Sequence, residues 1–295
     1  MEQAAMTKDL GFGTLCNNCC IMCTSIVPAD PRNQPTTERL MREIDALFKN
    51  QDALTITGGE PTIRQDFFTI LRYINKKHPL KKIHLITNAR MCVYDPFIKD
   101  LKNIKNLRIS TELHASSAEL HDAITLTQGS FRQAYQGIKN LLEAGLAVEF
   151  RIVVSRINYQ DVPALAALVT KEFPSVEEVV IFPIDIVGNA FRNKEKLIVT
   201  FAEFIPFVES AVDAITKRSF KVRLYHIPYC VIHEEYHPLI EGLTVPERRV
   251  TFAEVCTGCR FEKTCPRVWK SYAKFVGMGE FGPIMEKNLN NRSIS

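Results

Sequence analysis

The residues with the most chemical potential in this chain are thiols. Cys16, Cys19, Cys20 and Cys23 fall within eight residues, directly after the apolar run Leu10 to Leu15. Thiolates this crowded repel one another unless a cation neutralises them, so the stretch reads as a metal site. Cys16, Cys20 and Cys23 have the spacing C-x3-C-x2-C. A four-iron cluster usually takes four thiolates, and three leave one iron with a coordination position open to a small molecule. The alternative is zinc with Cys19 as fourth ligand, although adjacent Cys19 and Cys20 face one tetrahedral ion awkwardly. A second set lies towards the C-terminus, where Cys256, Cys259 and Cys265 have the spacing C-x2-C-x5-C and Cys230 precedes them. Four thiolates can close a site completely, around either a four-iron cluster or a structural zinc ion. Cys19 and Cys92 are left over as ordinary thiols.

The rest of the chain must position these groups. With 295 residues, 46% hydrophobic, it can bury a sizeable core. A net charge of +4 is too small to argue for nucleic acid, and no DNA partner is expected. The N-terminus has no signal-peptide core, and no apolar run approaches the ~18 residues of a membrane span. The expectation is a cytoplasmic protein with no membrane partner, in which clustered cysteines serve metal or redox chemistry rather than disulfides.

Periodicity predicts helices at Thr37–Phe48, Phe67–Ile74, Pro96–Lys102, Phe131–Ala144, Asp161–Glu172 and Phe201–Thr216. Between them lie strands at Ala53–Thr57, Ile83–Thr87, Leu107–Glu112, Val148–Val154, Val176–Phe182 and Lys221–Leu224, and Gly145 stands where a helix cap is expected. About six strand–helix alternations imply an α/β protein with a parallel sheet, either a partial barrel or a doubly wound sheet. Sites in both gather at the carboxyl ends of strands, where the cysteine stretch, Gly58-Gly59-Glu60-Pro61, Asn88 and Glu112 all fall. In Val148–Val154, Glu149 and Arg151 share a face opposite Val148, Phe150, Ile152 and Val154, so the charged pair points inward. That pair is either functional or a structural ion pair.

Cys16-x3-Cys20-x2-Cys23 together with Gly58-Gly59-Glu60-Pro61 resembles the radical S-adenosylmethionine (radical SAM) enzymes, over roughly residues 11 to 185. The resemblance implies a partial (β/α)6 barrel in residues 1–200, followed by an extension in 201–295. It implies a [4Fe-4S] cluster whose open iron binds S-adenosylmethionine, and one-electron cleavage to a 5′-deoxyadenosyl radical that abstracts hydrogen from a substrate. A reductant such as flavodoxin or ferredoxin is then a partner. It assigns cofactor contacts to Gly58, Gly59, Glu60 and Asn88, ribose contacts to Ser110 and Glu112, and the cofactor carboxylate to Arg151. Met22 stands where many members have an aromatic residue near the adenine. The C-terminal cysteines resemble SPASM or twitch extensions, with Trp269 where a full SPASM pattern has another cysteine. That implies one auxiliary [4Fe-4S] cluster on Cys230, Cys256, Cys259 and Cys265.

His114, His121 and Asp122 follow a strand end, and their expected role is loop capping at the surface. The segment Trp269 to Pro283 reads as a tail packed back over the domain. A narrower similarity, in Asn17 to Cys23, Leu141 to Gly145, Arg151 to Tyr159 and around Cys230 and Cys256, is to peptide maturases of the His-Xaa-Ser system. It implies a ribosomally made peptide substrate, and with only fifteen residues before Cys16 the expectation is that a partner maturase or the barrel mouth recognises it. The rival readings are a small metabolite or nucleoside substrate, or a non-enzymatic iron–sulfur or zinc protein.

Overall fold

The computed structural model describes residues 8–26, 30, 32 and 34–285. Part of the expected loop Pro28 to Pro35, and the polar tail from Lys287, lie outside them. Seven strands, β1 (Lys8–Gly11), β2 (Ala53–Thr57), β3 (Lys82–Ile86), β4 (Leu107–Glu112), β5 (Ala147–Val154), β6 (Glu178–Pro183) and β7 (Val222–Leu224), form one sheet in sequential order. Every neighbouring pair is parallel. This order has no switch point, so the doubly wound alternative gives way to a partial barrel. Helices α1 (Thr37–Phe48), α2 (Phe67–Lys77), α3 (Asp95–Lys102), α4 (Ala118–Thr125), α5 (Ser130–Glu143), α6 (Val162–Glu172), α7 (Gly188–Arg192), α8 (Lys194–Leu197) and α9 (Phe201–Thr216) occupy the crossovers. β7 and α9 lie beyond residue 200, yet β7 pairs with β6 in the same sheet. The cysteine-rich end is organised by the antiparallel pair β8 (Val250–Thr251) and β9 (Val268–Trp269), followed by α10 (Lys270–Phe275).

Patterning explains the helices. In α1, Leu40, Ile44 and Phe48 recur every fourth residue and are buried, and Thr36 accepts the Arg39 amide at its start. α9 opens with a full capping box between Thr200 and Glu203. Gly145 takes φ 73° just after α5, as its position predicts. Asp161, which the sequence offers as the cap of the helix running to Glu172, does not cap it. It flanks α6 without a side-chain cap, and its carboxylate accepts instead from the Ser116 amide at 2.6 Å and the Ser116 hydroxyl at 2.5 Å. Strand β6 starts two residues later than expected, because Val176 sits in the turn and Glu178 makes the first sheet contact.

The two faces of the sheet differ sharply. Val148, Phe150, Ile152 and Val154 of β5 are all 0% exposed on the helix-covered face, together with Leu54, Ile56, Leu85 and Ile109. Full burial of each large aliphatic side chain favours folding by roughly 1.5–3 kcal/mol. A one-residue slip of β5 would drive Glu149 and Arg151 into that layer, which fixes the register. The inner face carries charge. Glu149 accepts from Arg151 Nε at 2.6 Å and Ser110 Oγ at 2.7 Å and pairs with Arg108 at 3.2 Å. Arg108 also pairs with Glu178, which Arg223 holds at 2.6 and 2.9 Å. Burial holds His84 down at about 4, so it is neutral at pH 7, and its Nε2 meets Ser110 Oγ at 2.6 Å. The inward placement of Glu149 and Arg151 is borne out, and their ion pair is part of a charge layer spanning the four strands β4 to β7.

Candidate active site

The cysteine loop between β1 and α1 is held from three sides. On the first, Gly59 N donates to Gly13 O at 2.9 Å and Glu60 N to Leu15 O at 2.8 Å, laying the turn after β2 against the chain entering the loop. Both glycines are required there. A Cβ on Gly58, whose φ is +140°, would stand 2.4 Å from Gly13 O, and one on Gly59 would stand 2.1 Å from Leu15 O. The expectation was that these glycines admit a ligand; the space they leave is filled by the protein's own backbone.

On the second side, the Glu60 carboxylate is 3% exposed and accepts four hydrogen bonds. Oε1 takes Thr62 N at 3.1 Å, Thr62 Oγ1 at 2.5 Å and Thr87 Oγ1 at 2.7 Å, while Oε2 takes Asn88 N at 2.7 Å. Burial nonetheless raises its pKa, the hydrogen bonds pulling the other way. The Asn88 so placed donates from Nδ2 to Asn17 Oδ1 at 2.7 Å and lies 3.9 Å from Cys16 Sγ. Two residues on, Arg90 donates to Asn17 O and to Asn18 Oδ1, braced by Gln133 at 2.7 Å.

The third side is built by α4 and α7. Cys19 N and Ile21 N donate to Thr125 O and Ile124 O at the end of α4, at 3.0 and 2.9 Å. Asn189 Nδ2 and Ala190 N donate to Cys20 O and Cys23 O at 2.8 and 2.9 Å, and Asn193 Nδ2 to Ile21 O at 3.3 Å. Gly188 has φ 59°, and a Cβ there would stand 2.2 Å from Thr24 O. Arg90, Gly188, Asn189 and Asn193 were missed in the sequence. Only the short spacing of Asn189 and Asn193, one helical turn apart, offered a signal.

With its main chain so occupied, the loop gathers the three expected thiols. Burial pushes Cys16 up to about 11, and the charges of Glu60, Cys23 and Cys19 push the same way. Cys20 is raised well above an ordinary thiol by burial and by the charges of Cys23, Cys16 and Glu112, and Cys23 is raised by burial and Glu112. Amides of Asn18 and Ser25 donate to Cys16 and Cys23 Sγ at 3.3 and 3.4 Å. Glu112 ends β4 beside them and is pushed up to about 7 by burial, against the pull of Arg151. Cys19, like Cys16, is exposed, and Cys92 is fully buried.

Ser110 and Met22, the other expected contacts, are both buried. Ser110 is 0% exposed in mid-strand, with its hydroxyl committed to Glu149 and His84. Met22 is 5% exposed and packs in an apolar cluster with Ile124, Ile184 and Ile186. The histidines also correct their expectation. His114 and His121 are buried, with ring centroids 5.3 Å apart and His121 Nδ1 accepting the His114 amide at 3.0 Å. Asp122 does cap, accepting Gly129 N, Ser130 Oγ and Phe131 N between 2.6 and 2.8 Å at the start of α5.

Cys230, Cys256, Cys259 and Cys265 line one cavity, walled by Tyr229, Phe261, Val268, Met278 and Phe281. Ile284 N donates to Cys259 Sγ at 3.3 Å, and backbone amides of Gly282 and Arg267 reach Cys230 and Cys265. Burial and the other three thiols raise Cys265 to about 11. The tail after Trp269 therefore covers this second site. Among the described residues no three His, Cys, Asp or Glu side chains close on a single ion. Nor is any described helix long and apolar enough to cross a membrane.

A family model described as the radical SAM superfamily matches residues 10–169. The chain is 30% identical over 168 residues to the mycofactocin maturase MftC of Mycobacterium tuberculosis, covering 56% of this chain and 41% of that protein. It is 30% identical over 202 residues to a probable GTP 3′,8-cyclase of Saccharolobus islandicus, covering 64% of this chain and 61% of that one. The crystal structure of Streptococcus suis SuiB bound to precursor peptide SuiA superposes with a TM-score of 0.61 at 16% identity, over 74% of this chain and 48% of that one, a likeness of fold. The chain thus spans less than half the length of the maturase it matches. The superfamily implies a [4Fe-4S] cluster and S-adenosylmethionine. The donor set fits them: three clustered thiols whose neighbouring charges keep them from all ionising without a cation, with amides already donating to two sulfurs. With its cysteine loop, its glycine-lined turn and its sequentially ordered barrel, the chain belongs to the radical SAM superfamily.

Proposed function

We propose that this chain is a radical SAM enzyme acting on a ribosomally made peptide. The observation that carries the reading is the convergence of Cys16, Cys20 and Cys23 on the carboxyl ends of β2, β3 and β4, beside Glu60, Asn88 and Glu112. These three thiolates would hold the cluster. When bound, cluster and S-adenosylmethionine supply one-electron cleavage of the sulfonium and a hydrogen-abstracting radical. The protein's part is position and exclusion of water. Arg151, whose guanidinium is tied to Glu149 through Nε alone, offers its two terminal nitrogens to the cofactor carboxylate. Glu112, pushed up to about 7, can carry a proton beside the thiols. Gly58, Gly59 and Glu60 act by fixing the cysteine loop.

An auxiliary [4Fe-4S] cluster on Cys230, Cys256, Cys259 and Cys265 extends the reading. Its support is the apolar wall and three amide donors to sulfur, a setting that tunes iron–sulfur potentials. Residues 201–295 then supply both the last barrel strand and a cysteine-rich extension. The peptide substrate is supported by the maturase similarity. A nucleotide substrate is the second reading, favoured by the similarity to the cyclase. Reconstituted anaerobically, the protein should hold about eight irons, four for each [4Fe-4S] cluster. Deuterium placed in candidate precursor peptides should appear in 5′-deoxyadenosine. Transfer from labelled nucleotides, with none from peptides, would replace the first substrate class by the second.

A further inference from the structure

Phe191 of α7 is 46% exposed, and its ring lies 5.7 Å from that of Phe275 on α10. Each ring carries a lysine: Lys194 Nζ is 5.4 Å from the Phe191 centroid, and Lys274 Nζ is 5.4 Å from that of Phe275. Val187, 38% exposed, precedes them. The two segments, 191–197 and 270–275, contain five basic residues and one acidic residue, Glu195, which Lys194 meets at 3.1 Å. Their net charge equals the +4 of the whole chain, so the rest of the chain sums to zero. Nearby Glu280 is turned inward, on Tyr272 and the first amides of α9.

This patch is joined to both cysteine sites. The residue before Phe191 is Ala190, whose amide donates to Cys23 O at 2.9 Å. α10 follows Trp269, four residues beyond Cys265, and is pinned to the chain entering α7. Ser271 Oγ takes the Ile186 amide at 3.0 Å and donates to Asp185 at 2.7 Å. Two exposed or half-exposed rings, each with a lysine over it, in segments of net positive charge, have the anatomy of a small, electrostatically steered encounter surface.

We propose that the Phe191–Phe275 face is the docking site of an acidic one-electron carrier protein. The proposal rests on the radical SAM reading, which requires one electron from outside. A substrate must bring its C–H bond into the barrel mouth, whereas an electron carrier needs only nearness, and this face abuts the loop bearing Cys23. The carrier loses one electron and the first cluster gains it; no bond is made or broken at the patch.

The test uses the full-length reconstituted protein, an acidic flavodoxin as probe, and the double variant K194E/K274E. Wild type should bind flavodoxin with affinity that falls steeply with salt, and the variant should bind at least ~10-fold more weakly. Flavodoxin-driven formation of 5′-deoxyadenosine should fall about as much, with the dithionite-driven rate unchanged. Equal binding in both proteins, no binding to wild type, or an equal loss with dithionite overturns the proposal. So does a loss confined to peptide-dependent turnover, which would mark a substrate surface instead. Absence of 5′-deoxyadenosine from wild type with dithionite would refute the radical SAM reading, and the binding arm would still decide the docking claim.

Discussion

Glu149→Gln should destabilise the protein by about 3 kcal/mol at pH 7, with the deficit vanishing in acid. Burial alone would raise this carboxyl, but Arg151 and the hydrogen bonds from Ser110 and Arg151 outweigh it and hold its pKa near 2, against 4.5 for an ordinary glutamate. A group depressed on folding contributes stability above its unfolded pKa and loses it as pH falls through the folded value. The shift corresponds to about 3 kcal/mol at 1.36 kcal/mol per unit. That agrees with the ~3–5 kcal/mol for removing one partner of a buried ion pair. Arg151 would lose its carboxylate, whereas Arg108 keeps Glu178, so the variant's inner layer is left with one guanidinium it does not neutralise. Urea unfolding from pH 7 down to pH 2 checks this. Wild type should approach the variant between pH 4.5 and 2, and a deficit independent of pH would mean that packing, not charge, holds the layer.

Glu60→Gln should release the cysteine loop although it changes one atom. The carboxylate receives four donors and gives none. An amide must turn its NH2 group either towards Asn88 N–H or towards the three donors on the other side. Either way, donor meets donor in a buried place, at about 1–3 kcal/mol for each hydrogen bond left unmade. Asn88 then loosens, and with it the bond to Asn17 that borders Cys16. The expected outcome is ~10-fold weaker S-adenosylmethionine binding and partial loss of the first four irons on anaerobic gel filtration, while the C-terminal four remain. Retention of all irons and full affinity would show that Glu60 does not govern the loop.

Much of this was legible because the decisive signals are local. Thiol spacing, the glycine pair and the alternation of β5 are short-range patterns, and each survived in three dimensions. The strands and the long helices followed because period-2 and period-3.6 hydrophobicity alternate between Ala53 and Thr216, whereas the short helices α4, α7 and α8 in the same span were not read. What stayed hidden depends on contacts far apart in sequence. Arg90 reaches back about seventy residues to Asn17 and Asn18, and Asn189 reaches Cys20 from the far end of the barrel. Ser110 looked like a strand-face polar group near a ligand, but its partners His84 and Glu149 come from the two neighbouring strands. The buried histidines were unreadable for the same reason. His121 itself belongs to α4, and its ring packs against that of His114 in the chain leading to the helix.

The most direct test of the central claim removes the three thiols together. With Cys16, Cys20 and Cys23 replaced by alanine, the reconstituted protein should lose about four of its irons and form no 5′-deoxyadenosine from S-adenosylmethionine with dithionite, while the C-terminal cluster remains. Continued cleavage of S-adenosylmethionine by that triple variant would contradict the assignment of these cysteines as the reaction centre.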